Sequence, residues 1–194
     1  MGVMGIETAR LLLALGAAAS LAACDGGDKG KTAAPQATSA AGSTPGAAAA
    51  RLNVIDRSQA GTPAPDVPFE WHGGDKTSMA DFRGKKVLVN LWATWCAPCI
   101  AEMPELDRLA GSRRGKLVIL PISQDMEGWL AVNKFFTEGK FNALEPYVDQ
   151  PGSFAEAVKA KGLPISILYD EQGKEVWRVA GTPNWNELAM QGIV

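Results

Sequence analysis

The sequence predicts an α/β fold: a central mixed sheet flanked by helices, with a hairpin extension at its N-terminal side. Three observations predict it. Two apolar runs, residues 86–92 and 116–122, read as buried strands and are separated by a segment with helical spacing. The elements alternate as strand, helix, strand, helix and then close with a hairpin and a helix, which is an α/β order. The last hairpin, residues 165–169 and 174–180 around Asp170-Glu171-Gln172-Gly173, makes the sheet mixed. At 194 residues there is room for one domain of ordinary size plus extensions, and a formal charge of −2 leaves no basic excess for nucleic acid.

The first residues stand outside that domain. Arg10 precedes an apolar run, residues 11–21, that is shorter than the about 20 residues of a spanning helix. The run ends in Leu21-Ala22-Ala23-Cys24, small residues before a cysteine, as at a secretory cleavage site. This tetrad resembles a bacterial lipobox, which implies cleavage before Cys24 and lipidation of its thiol and new N-terminus. Residues 1–23 are therefore expected to be a lipoprotein signal peptide, in preference to an uncleaved anchor or a plain signal with a chance cysteine. Multiple acyl chains would make the anchoring stable. Asp25 resembles an inner-membrane retention signal of bacteria with an outer membrane. Residues 24–61 are expected to hold the lipidated cysteine and a flexible linker of Ala, Gly, Ser, Thr and Pro. A tether of about 37 such residues spans roughly 30–35 Å r.m.s., which holds a domain near a membrane. Residues 51–58 are more apolar and are expected to form a short docked piece.

The domain is expected over residues 62–194. Phe69-Glu70-Trp71, a turn through Gly73 and Gly74, and Lys76-Thr77-Ser78 read as a hairpin. His72, the single histidine, sits at that turn as a solvated loop residue, which removes hydrolase schemes that need a positioned imidazole. After the core strand comes Cys96-Ala97-Pro98-Cys99, placed where a strand turns into a helix. A thiol there faces unpaired N–H groups and the positive end of the helix dipole, which favour the thiolate. Cys96 is expected to be the exposed thiol, with Cys99 one turn deeper on the same face. As a staple alone, a four-residue loop contributes only about 2 kcal/mol. As half of a zinc site it lacks partners: the remaining cysteine and histidine are Cys24 and His72, and structural zinc takes four ligands. Redox chemistry is the reading that the strand-to-helix context supports.

A helix over residues 97–110 is expected to bury a stripe of Ile100, Met103, Leu106 and Leu109, and to kink at Pro104. Glu102 follows Cys99 by three residues, so their Cβ atoms are neighbours about 5–6 Å apart. Residues 126–138 read as a helix with Trp129, Val132 and Phe136 on one face, and residues 144–148 as a short strand. Ser153 and Glu156 form a capping-box pattern that opens a helix with Phe154, Ala157 and Val158 inward. Asn184, with Glu187 three residues later, starts a last helix.

Several stretches in order carry a family resemblance: residues 89–99, Glu102-Met103-Pro104-Glu105-Leu106, Gly162-Leu163-Pro164, the Asp170 to Gly173 turn, and Gly181 with Trp185. From about Pro63 onward the chain resembles the thioredoxin-like superfamily, specifically the TlpA/ResA type of membrane-anchored thiol-disulfide oxidoreductase. The resemblance implies a thioredoxin-like fold and assigns roles. Cys96 is expected to be the attacking thiolate and Cys99 the resolving thiol, with their redox-active disulfide as the redox centre and no metal or cofactor. Pro164 matches the family's cis-proline, and Leu163 before it presents backbone to an extended substrate. Trp95 and Pro98 complete the expected substrate-binding set, and Glu102 matches an acidic position beside the resolving cysteine.

Three departures stand out. Asn90 occupies the place of a buried strand carboxylate in thioredoxins themselves; this agrees with the subgroup and leaves Glu102 as the candidate proton acceptor. Ile165 follows Pro164 in place of the usual hydroxyl residue. The final helix is short for the family, which raises the expectation of a truncated C-terminus.

The expected reaction is thiol-disulfide exchange, Cys96 attacking a substrate disulfide and Cys99 then releasing the reduced substrate. The Ala-Pro dipeptide and the subgroup point to a protein-disulfide reductant on the periplasmic or extracytoplasmic face of the cell membrane. Its expected partners are disulfide- or thiol-bearing client proteins of cytochrome c maturation or copper-site assembly, and an upstream membrane thiol electron donor. Two other readings stay open: a disulfide oxidase or isomerase on the same fold, and a non-catalytic tethered binding module using the surface around Trp95 and Pro164.

Overall fold

The computed structural model describes residues 55–71 and 73–194. The expected signal peptide, Cys24, most of the linker and His72 lie outside the described residues. The strands are β1 (Phe69–Trp71), β2 (Asp75–Thr77), β3 (Lys86–Trp92), β4 (Leu117–Ser123), β5 (Tyr147–Val148), β6 (Ile165–Tyr169) and β7 (Glu175–Ala180). The helices are α1 (Ala97–Ser112), α2 (Trp129–Gly139), α3 (Ser153–Ala157) and α4 (Trp185–Met190), with a 3-10 turn at Met79–Phe82. The strands form a single sheet in the order β2-β1-β5-β4-β3-β6-β7. The β3–β4 and β4–β5 pairs are parallel and the rest antiparallel, so the sheet is mixed, and the β1–β2 hairpin extends it past β5.

β3 lies near the middle and is buried almost throughout. Alternate side chains of a strand point to opposite faces. Val87, Val89 and Leu91 therefore pack with Phe69, Phe154 and Val158 on one side. Leu88 and Trp92 pack on the other with Met103, Leu106 and Leu109 of α1, Val132 of α2 and Trp185 of α4. Asn90 belongs to this second face by the same alternation, which aims a polar side chain at α1.

The segment from residue 55 is docked, as expected of the more apolar stretch. Asp56 exchanges both backbone hydrogen bonds with Arg178 at 2.8 Å, Gly61 and Thr62 pair with Glu175 of β7, and Ala64 donates to Gly173 in the turn before it. Arg178 is held in turn by a two-pronged pair with Glu175, each contact 2.6 Å, and donates to the Val158 carbonyl.

Several local expectations are corrected. Ile100 is 37% exposed, and the buried face of α1 is Cys99, Glu102, Met103, Leu106 and Leu109. Hydropathy gave Ile100 a place that helical geometry gives to a glutamate. The α1 helix continues through Pro104 to Ser112, beyond its expected end. α2 starts at Trp129, three residues late, because the turn from Asp125 ends on Gly128 at φ +54°. At Gly128 a Cβ would meet the Gln150 side chain at 2.7 Å, and L side chains seldom adopt that φ. Ser153 does not cap α3. Asp149 does, accepting from the backbone N–H groups of Phe154 and Ala155, and Ala157 is exposed. Asn184 caps α4 as expected, accepting from the Glu187 N–H at 3.0 Å.

Candidate active site

β3 ends at Trp92, and the chain turns into α1 through Ala93-Thr94-Trp95. Because β3 and β4 run parallel with Trp92 beside Ser123, the loops leaving both strands meet. Asp125, almost fully buried, accepts from the Thr94 backbone N–H at 2.9 Å, the Thr94 hydroxyl at 2.6 Å and the Ser123 hydroxyl at 2.7 Å. Three donors thus fix the turn that delivers Cys96.

Cys96 is the N-cap of α1, and its sulfur accepts from the Cys99 backbone N–H at 3.4 Å. Pro98 lies in the first helical turn, where its missing N–H has no intrahelical acceptor to lose. Cys96 and Cys99 are joined in a disulfide with a Cα–Cα distance of 5.2 Å. The expectation of an exposed Cys96 is corrected in part: Cys96 is 6% exposed and Cys99 0%, so the outer sulfur is the more accessible but is still buried. It sits in the cluster that holds Trp92 and Trp185, against which Leu163 also packs. Trp95 beside it is 68% exposed, and Pro98 is exposed.

One turn below Cys99 lies Glu102, 4% exposed. Asn90 Nδ2 donates to Glu102 Oε1 at 2.9 Å, and Trp185 Nε1 donates to Oε2 at 3.0 Å. The second hydrogen of the Asn90 amide goes to Ser166 Oγ at 3.0 Å. Burial pushes the Glu102 carboxyl up to about 7, against the opposing pull of the Asn90 and Trp185 hydrogen bonds. A carboxyl in that range exchanges protons near neutral pH.

The Leu163–Pro164 peptide bond is cis. The Pro164 carbonyl accepts from the Gly181 N–H at 2.9 Å, and Gly181 takes φ +86°, so the turn after β7 holds the proline loop. Leu163, Pro164 and Gly181 line one end of a cavity of about 810 Å³ that reaches Arg178 under the docked segment. Among the described residues no group of three or more His, Cys, Asp or Glu side chains is placed to hold a metal ion.

Residues 59–191 match the Redoxin family. The chain belongs to that family. Within it, the chain is 43% identical over 137 residues to the thioredoxin-like protein YneN of Bacillus subtilis (strain 168), covering 70% of this chain and 69% of that one. It is 30% identical over 135 residues to the thiol-disulfide oxidoreductase ResA of Bacillus thuringiensis subsp. konkukian (strain 97-27), covering 69% and 76%. The crystal structure of the pneumococcal exposed lipoprotein thioredoxin Etrx1, from Streptococcus pneumoniae strain TIGR4, superposes with a TM-score of 0.59 at 22% identity, covering 66% of this chain and 97% of that one. The last likeness shows the thioredoxin-like fold. The chain is a ResA-like thiol-disulfide oxidoreductase, and the expected fold class stands.

For this Redoxin-family member, the structure brings Cys96, Cys99 and Glu102 onto one helix and packs Leu163 against the cysteine cluster. Sequence reasoning missed three parts. Asp125 was readable only through the β3–β4 pairing, whose last pair, Trp92 and Ser123, brings the loops carrying Thr94 and Asp125 together. Ser166 looked like one more residue of a buried strand. Trp185 carried the family resemblance with no role attached, since no spacing links it to a glutamate 83 residues away.

Proposed function

We propose that this oxidoreductase reduces disulfides of client proteins while tethered by lipid at Cys24 to the extracytoplasmic face of a membrane. The observation that carries the reading is the Cys96–Cys99 pair capping α1 directly above a buried carboxyl. In the reduced protein the helix N-terminus favours the Cys96 thiolate. It attacks one sulfur of the client disulfide, and the other sulfur leaves as thiolate. Cys99 gives its proton to Glu102 and attacks the Cys96 sulfur, which releases the second client sulfur and leaves the Cys96–Cys99 disulfide. An upstream membrane thiol donor returns the two electrons. Trp95, Pro98 and the backbone at Leu163–Pro164 hold the extended client. Clients of cytochrome c maturation or copper-site assembly fit the ResA-like identity.

Two further facts support the tether: the Leu21-Ala22-Ala23-Cys24 tetrad, and the lipoprotein nature of Etrx1, which shares the fold. Among the described residues no helix is long and apolar enough to cross a membrane.

Insulin-disulfide turnover with a measured reduction potential tests the chemistry. A reductant lies near the about −270 mV of thioredoxin; a value near the about −120 mV of DsbA would make the protein an oxidant, and absent turnover would leave only a binding module. Cys24→Ser should move the protein to the soluble fraction or leave the signal uncleaved, and a mature wild type with an unmodified Cys24 thiol would sink the tether. Cys99→Ser should trap clients as mixed disulfides for identification.

A further inference from the structure

We infer that Asn90 and Trp185 are positioning residues that hold the Glu102 carboxylate as a proton acceptor, one donor on each oxygen, from two elements far apart in sequence. The inference rests on the role given to Glu102 above and extends it to the residues that make that role available.

The geometry is one-sided. Asn90 is fully buried and spends both amide hydrogens, on Glu102 at 2.9 Å and on Ser166 at 3.0 Å. Its Oδ1 has no hydrogen-bond partner among the described residues. A buried amide oxygen left unpaired is destabilising, so a site selected for stability alone would turn the amide or replace it. The arrangement instead puts donors, and no acceptor, against Glu102. Trp185 completes it from α4, where an indole has a donor only. Two N–H groups, one to each oxygen, favour the anion over the protonated carboxyl, whose hydroxyl oxygen is the weaker acceptor and whose O–H finds no acceptor in these two donors.

Among the described residues the surroundings supply no rescuing cation. Glu105, on α1 itself, is the charged group acting on Glu102, and it disfavours the anion. β3, β6 and α4 face the network with Asn90, Ser166 and Trp185, none of them charged; the Cys96 and Cys99 thiols join once the disulfide opens. Burial therefore favours the neutral acid, and the two N–H donors are what keep ionisation within reach near neutrality.

The test reads the carboxyl directly in the full-length oxidised protein, where Cys96 and Cys99 do not titrate. Carbon-13 NMR of side-chain-labelled glutamate follows the resonance that is missing from Glu102→Gln. Each lost hydrogen bond to a charged group should raise its titration midpoint by about 1–2 pH units in Trp185→Phe and in Asn90→Leu. Stopped-flow kinetics of the mixed-disulfide resolution step should show its pH profile displaced upward by the same amount. Asn90→Leu keeps the decision open if shrinking the buried Trp185 ring prevents folding, because it also removes the unpaired oxygen. Midpoints that stay at the wild-type value overturn the inference. So does a resolution profile that ignores both variants while responding to Glu102→Gln. If Glu102→Gln itself leaves resolution unchanged, the catalytic role of Glu102 falls, while the NMR titration still decides whether these two donors set the carboxyl.

Discussion

Helix α1 carries two partnered carboxylates five residues apart, and they have opposite fates. Glu102 is deeply buried and meets two side-chain N–H donors; Asp107 is half-buried and meets the backbone N–H groups of Asn142, Ala143 and Leu144 at 2.8–3.2 Å. Burial raises both. At Glu102 burial wins and the carboxyl rises to about 7; at Asp107 the bonds from Ala143, Leu144 and Asn142 outweigh it, and the carboxyl stays below its ordinary value. Depth and the number of donors, rather than residue type, separate a carboxyl held near neutrality from an anchoring anion. Asp107 ties α1 to the loop before β5 and remains an anion; Glu102 sits where losing and regaining a proton is within reach.

The largest effect expected from breaking this contrast is kinetic. Glu102→Gln should slow resolution of the mixed disulfide by about 10²–10⁴-fold, the usual worth of a general acid–base group, with little effect on its formation. Stopped-flow reduction of a model disulfide across pH separates the two steps; matching profiles would make Glu102 a bystander.

The next effect is on stability. Glu102 binds its proton more tightly in the folded chain, so its favourable contribution is full below about pH 4.5 and is lost as pH rises through about 7. The rise from 4.5 to about 7 corresponds to roughly 3 kcal/mol. Urea unfolding should therefore show wild type losing ground to Glu102→Gln by that order between pH 4.5 and 8, and a constant difference would count against the burial argument. Asp107 has the opposite sign: its contribution is present above the unfolded value near 3.8 and disappears as pH falls through the lower folded value.

A smaller change is expected from Asp107→Ala, about 1–3 kcal/mol of stability for backbone donors left short of an acceptor, with resolution kinetics untouched. A change in the pH profile of resolution would blur the distinction between anchor and proton carrier. Smallest of all is Ile100→Ser, on the exposed side of α1, expected within about 0.5 kcal/mol of wild type. Met103→Ala, on the buried side, should cost about 2–5 kcal/mol by the same urea assay.

Much of this protein is decided by local sequence. Apolar runs and turn residues determine the strands and their succession along the chain, because side-chain alternation and turn chemistry act over a few residues. The place of Cys96 and Cys99 at a strand-to-helix junction is equally local, as is the Asn184 cap. Tertiary structure decides what local rules cannot. Which face of α1 is inward depends on where β3 and α4 lie, so Glu102 took a core position and Ile100 an outer one. Asp149 displaced Ser153 as the cap of α3 because the chain fold brings its carboxylate to those N–H groups. The Asn90–Glu102–Trp185 network joins residues 12 and 83 positions apart, and only packing makes them neighbours. Sequence determines that a cysteine pair stands at the head of a helix; the depth of burial beneath it, set by the whole sheet, decides which carboxyl is held near neutrality there.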